Sequence, residues 1–200
     1  MESSNKILDI LYRYRFSKNL IYRILKARAK GLAGMVSPYL KKDELILDIG
    51  PASCTVTEAL IDQGHRVYPL DVENFSIVDE VLPTLYDGDR MPFSDNQFDT
   101  SLILFVLHHT PDPAKVLTEA MRVSKKIIIL EDIVTSPVHK FLTAALDSLM
   151  NLEFYDQPHT NKSDQEWRTI FENLGLKLLA QEEKSSSTAV IRHALYFLEK

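Results

Sequence analysis

One cysteine, Cys54, is too few for an internal disulfide, and the opening residues lack the apolar run before small residues that marks a secretion leader. A reducing cytoplasm is therefore the expected setting. No apolar stretch reaches the roughly 18 residues that a membrane-spanning helix needs; even LILFVLHH breaks at its histidines. Cys-x-x-Cys pairs and a His-Glu-x-x-His run are missing, so no metal site is expected. What remains, 200 residues with 45% hydrophobic and 26% charged content, suits one globular fold that buries its core without staples.

Acidic residues are scarce at one end of the chain. Residues 1–42 carry ten Lys or Arg against Glu2 and Asp9, a net of +8 in a chain whose total is −5, which leaves −13 for the rest. A body this acidic is a poor surface for phosphate backbones, which disfavours nucleic acid as a partner. The chain thus divides into a basic amphipathic segment, 1–42, and a body, 43–200. Within 6–35, Ile, Leu, Tyr and Phe mix with Arg and Lys at roughly helical spacing and without proline, which predicts one or two amphipathic helices. They pack on the flank of the body, close over its ligand as a lid, or touch a membrane surface peripherally.

From Leu45 onward, short apolar runs alternate with helical patterns, the mark of βαβ units closing a parallel sheet. Strands are predicted at 45–49, 66–70, 84–86, 99–106 and 126–131. TVTEALIDQG reads as a helix closed by Gly64, and DPAKVLTEAMRV as one started by an Asp112 cap with Pro113 behind it. Further helices are predicted from Pro137 and at SDQEWRTIFENLG, where Ser163 and Glu166 have capping-box spacing and Gly175 is the stop. Two last runs, GLKLLAQEE and AVIRHALYFL, read as an antiparallel hairpin at one sheet edge. The expected class is α/β: a doubly wound sheet of seven strands, mostly parallel.

In such a sheet, ligands sit beyond the carboxyl ends of the strands, where the strand order reverses. LDIGPASCTVTEAL supplies a strand ending in Asp48, then Gly50, a loop of small residues and a helix. A dinucleotide would want G-x-G-x-x-G for its pyrophosphate, but Ala52 and Cys54 stand where further glycines belong. Asp71 ends the second strand 21 positions after Gly50, where a carboxylate accepts the hydroxyl protons of a ribose. Asp87 and Asp89 follow the third strand, where an acid accepts from an adenine amino group. Acids at three strand ends suit a cationic nucleoside without phosphates and repel a pyrophosphate.

These segments, together with LYDGDRMPFSDNQFD and LHHTPDP, resemble the successive motifs of class I S-adenosylmethionine-dependent methyltransferases, particularly the group of ubiquinone and menaquinone biosynthesis. The resemblance covers roughly residues 43–135. It implies a Rossmann-like fold, S-adenosylmethionine as cofactor, and in-line methyl transfer to O, N or C of a small molecule. It further implies that Asp48, Gly50, Pro51, Ala52, Ser53 and Cys54 line the methionine end, and that Asp71, with Val72 beside it, holds the ribose. Asp87 and Gly88 would meet the adenine edge, Leu104 and Phe105 would flank the sulfonium, and His108 and His109 would face the methyl acceptor. The chain departs from the family in its G-P-A-S-C turn, which keeps a single glycine, and in SKK where relatives carry Pro-Gly-Gly. Cofactor binding then depends on Ala52 and Cys54 tolerating the loop's backbone angles.

A histidine can remove an acceptor proton near neutral pH, which makes His108 and His109 catalytic candidates, with packing at the turn as the alternative. Tyr155 and His159, in FYDQPHTNKSDQEW, are candidates on the substrate side. The Trp, Phe and Leu side chains of 137–171 form either a pocket for an apolar or aromatic acceptor or part of the core. Cys54 is read as chosen for its size, not as a nucleophile. Two other classes stay open: a nicotinamide-dependent oxidoreductase, and a binding protein that keeps the fold with weak turnover.

Overall fold

The computed structural model describes residues 15–135, 160–185 and 192–200. The helix expected from Pro137, and the first residues of the basic segment, lie outside them. In chain order the elements are α1 (Arg15–Val36), β1 (Leu45–Ile49), α2 (Thr55–Asp62), β2 (Arg66–Asp71), β3 (Thr84–Leu85), β4 (Phe98–Leu104), α3 (Pro113–Val123), β5 (Ser124–Asp132), α4 (Asp164–Asn173), β6 (Lys177–Ser185) and β7 (Arg192–Glu199).

The helix boundaries follow local chemistry. Asp112 accepts the Lys115 N–H at the start of α3, and Ser163 and Glu166 close a reciprocal capping box on α4. After α2 and α4 the chain turns through Gly64 and Gly175 at φ of +88° and +75°, angles that a side chain resists. Ser124 and Lys125, expected ahead of the fifth strand, are instead the first residues of β5, which follows α3 without a break.

Seven strands form one sheet in the order β3-β2-β1-β4-β5-β7-β6. The pairs β2–β3, β1–β2, β1–β4 and β4–β5 are parallel; β7 runs antiparallel to both β5 and β6. The final pair is the expected antiparallel hairpin at one rim of the sheet, with β7 next to β5 and β6 as the outermost strand.

Alternate residues of the buried strands face opposite layers, which makes the sheet doubly wound. On one face Leu47, Ile49, Ile103, Ile127, Ile129 and Tyr196 pack with Leu117 and Val123 of α3 and Trp167 and Phe171 of α4. On the other, Ile46, Leu102, Ile128, Leu130 and Leu195 pack with Ala29, Ala33 and Val36 of α1 and Ala59 and Leu60 of α2. Trp167 and Phe171, weighed as pocket residues from the sequence, belong to this core. Among the described residues no helix is long and apolar enough to cross a membrane.

Candidate functional site

The strand order reverses between β1 and β4, so a crevice opens at their carboxyl ends. Gly50 leaves β1 at φ +69°, and a Cβ added there would stand 2.8 and 2.9 Å from the two Val106 methyls just beyond β4. No other residue fits. Ala52 and Cys54 also adopt left-handed angles, φ +46° and +56°, so the loop keeps a glycine-like course without the glycines. Such angles cost about 1–2 kcal/mol per non-glycine residue, and they are held by contacts. The Ala52 N–H donates to Asp71 Oδ2 at 3.1 Å, the Ile77 N–H to Ser53 O at 3.2 Å, and Cys54 is buried against Ile77 and Val78. Burial pushes the Cys54 thiol up to about 12, which suits packing and not nucleophilic attack.

Two acids stand under this loop. Asp48, 2% exposed, accepts a 2.6 Å bond from the Thr57 hydroxyl, and burial pushes its pKa up to about 6, the Asp71 carboxyl adding to the effect. Asp71 is 8% exposed; its Oδ1 takes the Val72 N–H at 2.7 Å, and burial raises its pKa despite the backbone donors of Val72, Ala52 and Glu73. Val72 is exposed beside it, and a Cβ on Gly88 would lie 3.5 Å from a Val72 methyl, so these two positions meet. Asp87 is exposed, and its Oδ1 accepts the N–H groups of Asp89 and Arg90, which hold its pKa below the usual range. Asp87 thus braces its own turn. Asp89 pairs with Lys115.

The amino-terminal half of α1 covers the loop. Ile21, Tyr22 and Leu25 pack on Cys54, Ile77 and Val78, the Tyr22 hydroxyl donates to Glu58 at 2.7 Å, and Lys26 and Lys18 pair with Glu58 and Asp79. Part of the basic surplus of the leading segment is answered by the acidic body.

Past β4, Phe105 adopts φ +59°, and a 3-10 turn spans Leu107–His109. His108 does not face an open crevice: it is fully buried, its Nδ1 2.5 Å from Glu131 Oε2. His109 is half-buried with its ring 4.0 Å from that of His108. Sequence reasoning missed a third histidine here. His193 of β7, a quarter exposed, holds Asp132 Oδ1 at 2.5 Å through Nδ1, and its ring meets Phe105 edge-on at 5.1 Å, with the Arg28 guanidinium of α1 5.4 Å from the Phe105 ring centre. The signal was the ED that ends the apolar run KIIIL, two acids placed where a buried strand leaves the core. Tyr155 and His159 lie outside the described residues, but Thr160 donates its N–H to His108 O at 2.9 Å. Among the described residues no three His, Cys, Asp or Glu side chains gather to hold a metal ion.

A family described as a methyltransferase domain matches residues 47–127. The demethylmenaquinone methyltransferase of Paenarthrobacter aurescens is 30% identical over 101 residues, 46% of this chain and 40% of that protein; that of Streptomyces griseus is 33% identical over 95 residues, 43% and 41% of the two. The chain spans about two fifths of the length of these curated relatives. Among solved structures, a chain in the complex of the Haloferax volcanii Trm112 methyltransferase activator with a methyltransferase superposes at a TM-score of 0.70 with 16% identity, covering 97% of this chain and 98% of that one. A likeness at that identity speaks for the fold. Together the matches bear out the resemblance to class I S-adenosylmethionine-dependent methyltransferases and the Rossmann-like sheet.

Proposed function

We propose that the crevice binds S-adenosylmethionine and that the protein transfers its methyl group to a small-molecule acceptor in the cytoplasm. The observation that carries this is the loop Gly50–Cys54, held in left-handed turns and tied to Asp71 above a buried Asp48. Carboxylates whose charge is disfavoured by burial are relieved by a cation, whereas acids at the strand ends repel a pyrophosphate. Asp48, Gly50, Pro51, Ala52, Ser53 and Cys54 would hold the methionine end, Asp71 the ribose hydroxyls, Val72 and Gly88 the adenine, and Leu104 and Phe105 the sulfonium. Asp87 would serve the adenine side by shaping the Gly88 turn. Bound there, the cofactor supplies an electrophilic methyl, and what the chain must add is orientation and, for an acidic acceptor, a place for the proton. His109 and the Asp132-held His193 are the imidazoles that remain for that proton once His108 is buried. Tyr155 and His159 would complete the acceptor side, since Thr160 returns to the His108 turn. The demethylmenaquinone relatives support an apolar or aromatic acceptor, and the packing of α1 on Cys54 supports a lid role for 1–42.

Thermal unfolding with S-adenosylhomocysteine, NAD and NADP tests this. A ligand that binds only the folded state raises Tm by mass action, by about 2.7 kcal/mol of stability at a hundredfold excess over its Kd. S-adenosylhomocysteine is expected to raise Tm and the nicotinamide dinucleotides to leave it unchanged; the reverse pattern would favour an oxidoreductase.

A further inference from the structure

The carboxyl end of β5 carries a carboxylate that the assigned site does not use. Glu131 is fully buried, on the α3 and α4 side of the sheet, while the next residue, Asp132, turns to the α1 side. Its Oε1 accepts the Val106 N–H at 2.9 Å and the Leu107 N–H at 2.7 Å, and its Oε2 meets His108 Nδ1 at 2.5 Å. One side chain thus takes three donors from three consecutive residues of the turn beyond β4. That turn needs holding, because it begins with Phe105 at φ +59° and its two main-chain donors would otherwise lack the ladder partners of a strand. Burying an acid is unfavourable unless its oxygens are satisfied, and here the donors converge on it. Val106, the first of them, is the residue whose methyls lie against Gly50.

We propose that Glu131 is a positioning residue of the cofactor site: by clamping Val106, Leu107 and His108 it fixes the wall against which the Gly50 loop is set. The assignment rests on the S-adenosylmethionine reading for the ligand, but not for the clamp itself. A displaced Val106 moves the floor of the Gly50 turn, and small displacements of binding groups cost on the order of tenfold to a hundredfold in function.

Calorimetric titration with S-adenosylhomocysteine, melting curves, and amide hydrogen exchange at Val106 and Leu107 are measured on the wild type and on Glu131→Gln, Glu131→Asp and Glu131→Ala. The wild-type amides at 106 and 107 are expected to be protected. Glu131→Gln keeps an oxygen at the same reach and should bind within about threefold of wild type, whereas Glu131→Asp, one methylene short, should expose both amides to exchange and bind at least about tenfold more weakly, as should Glu131→Ala where it folds. Lower Tm with unchanged affinity in Glu131→Asp would mean a purely structural acid and overturn the proposal, as would unprotected wild-type amides. Wild type that shows no S-adenosylhomocysteine binding refutes the ligand, and the exchange data then judge the clamp alone.

Discussion

At the scale of single residues, the loop after β1 shows a backbone course surviving the loss of its usual side chains. Ala52 and Cys54 take positive φ because Asp71, Ile77 and Val78 hold them there, and only Gly50 faces a contact that no side chain could share. Asp48 beneath the loop carries a testable cost. Its pKa is about 6 in the folded protein, above the ordinary carboxylate value, so between about pH 4 and pH 6 the native state keeps a proton that the unfolded chain has released. Native stability therefore falls as pH rises through that window, by about 3 kcal/mol. Asp48→Asn, which still offers an oxygen to Thr57, should be more stable than wild type at pH 7 to 8, lose that advantage below about pH 4, and bind the cofactor more weakly. Urea denaturation across this pH range checks it; equal stabilities at pH 7.5 would show that the buried acid carries no such cost. Cys54 could be read for its size from the sequence alone, but the burial of His108 could not, because its partner Glu131 lies 23 positions away and meets it only once β4 and β5 pair.

At the scale of elements, the segment MPFSDNQFD, one of those that carry the family resemblance, works at a distance from the crevice. Arg122, in the last turn of α3, donates to Met91 O at 2.9 Å, to Phe93 O at 2.7 Å and to Asp95, and is gripped by Glu119, whose other bond takes the Met91 N–H. The segment is a strap tying the approach to β4 onto α3. Arg122→Ala removes a donor from the Phe93 and Met91 carbonyls and from the Asp95 and Glu119 carboxylates and is expected to cost about 2–4 kcal/mol of stability, while S-adenosylhomocysteine affinity at low temperature stays near wild type. Arg122→Lys should rescue little, since a single ammonium cannot span the fork of acceptors. A large loss of affinity in a well-folded Arg122→Ala would place the strap in the site. The described helices and most strands were legible because caps, glycine stops and continuous apolar runs are local signals. The insertion of β7 beside β5 was not, because which strand a final hairpin joins is decided by the faces it buries: Tyr196 against Phe171 on one side and Leu195 against Leu130 on the other.

For the whole molecule, the parts converge on one edge of one sheet. β1 and β2 deliver Asp48, Gly50 and Asp71; β4 and β5 deliver Phe105, Glu131 and Asp132; β7 returns His193; and α1 lies across the Cys54 loop. The crevice was foreseeable from strand-end acids and a small-residue loop, while the cluster of His193, Asp132 and Arg28 around Phe105 was not, because these residues come together from three distant segments. The central claim is that this edge binds the nucleoside of S-adenosylmethionine through Asp71, and calorimetric titration of S-adenosylhomocysteine into wild type, Asp71→Asn and Asp71→Ala at matched temperature, each with a melting curve, tests it most directly. The expected result is saturable binding to wild type, a modest loss for Asp71→Asn, and a loss of about 2–4 kcal/mol for Asp71→Ala, roughly thirtyfold to a thousandfold in Kd, in a protein that still melts cooperatively. Binding to Asp71→Ala within about threefold of wild type, or no binding to wild type at all, would contradict it.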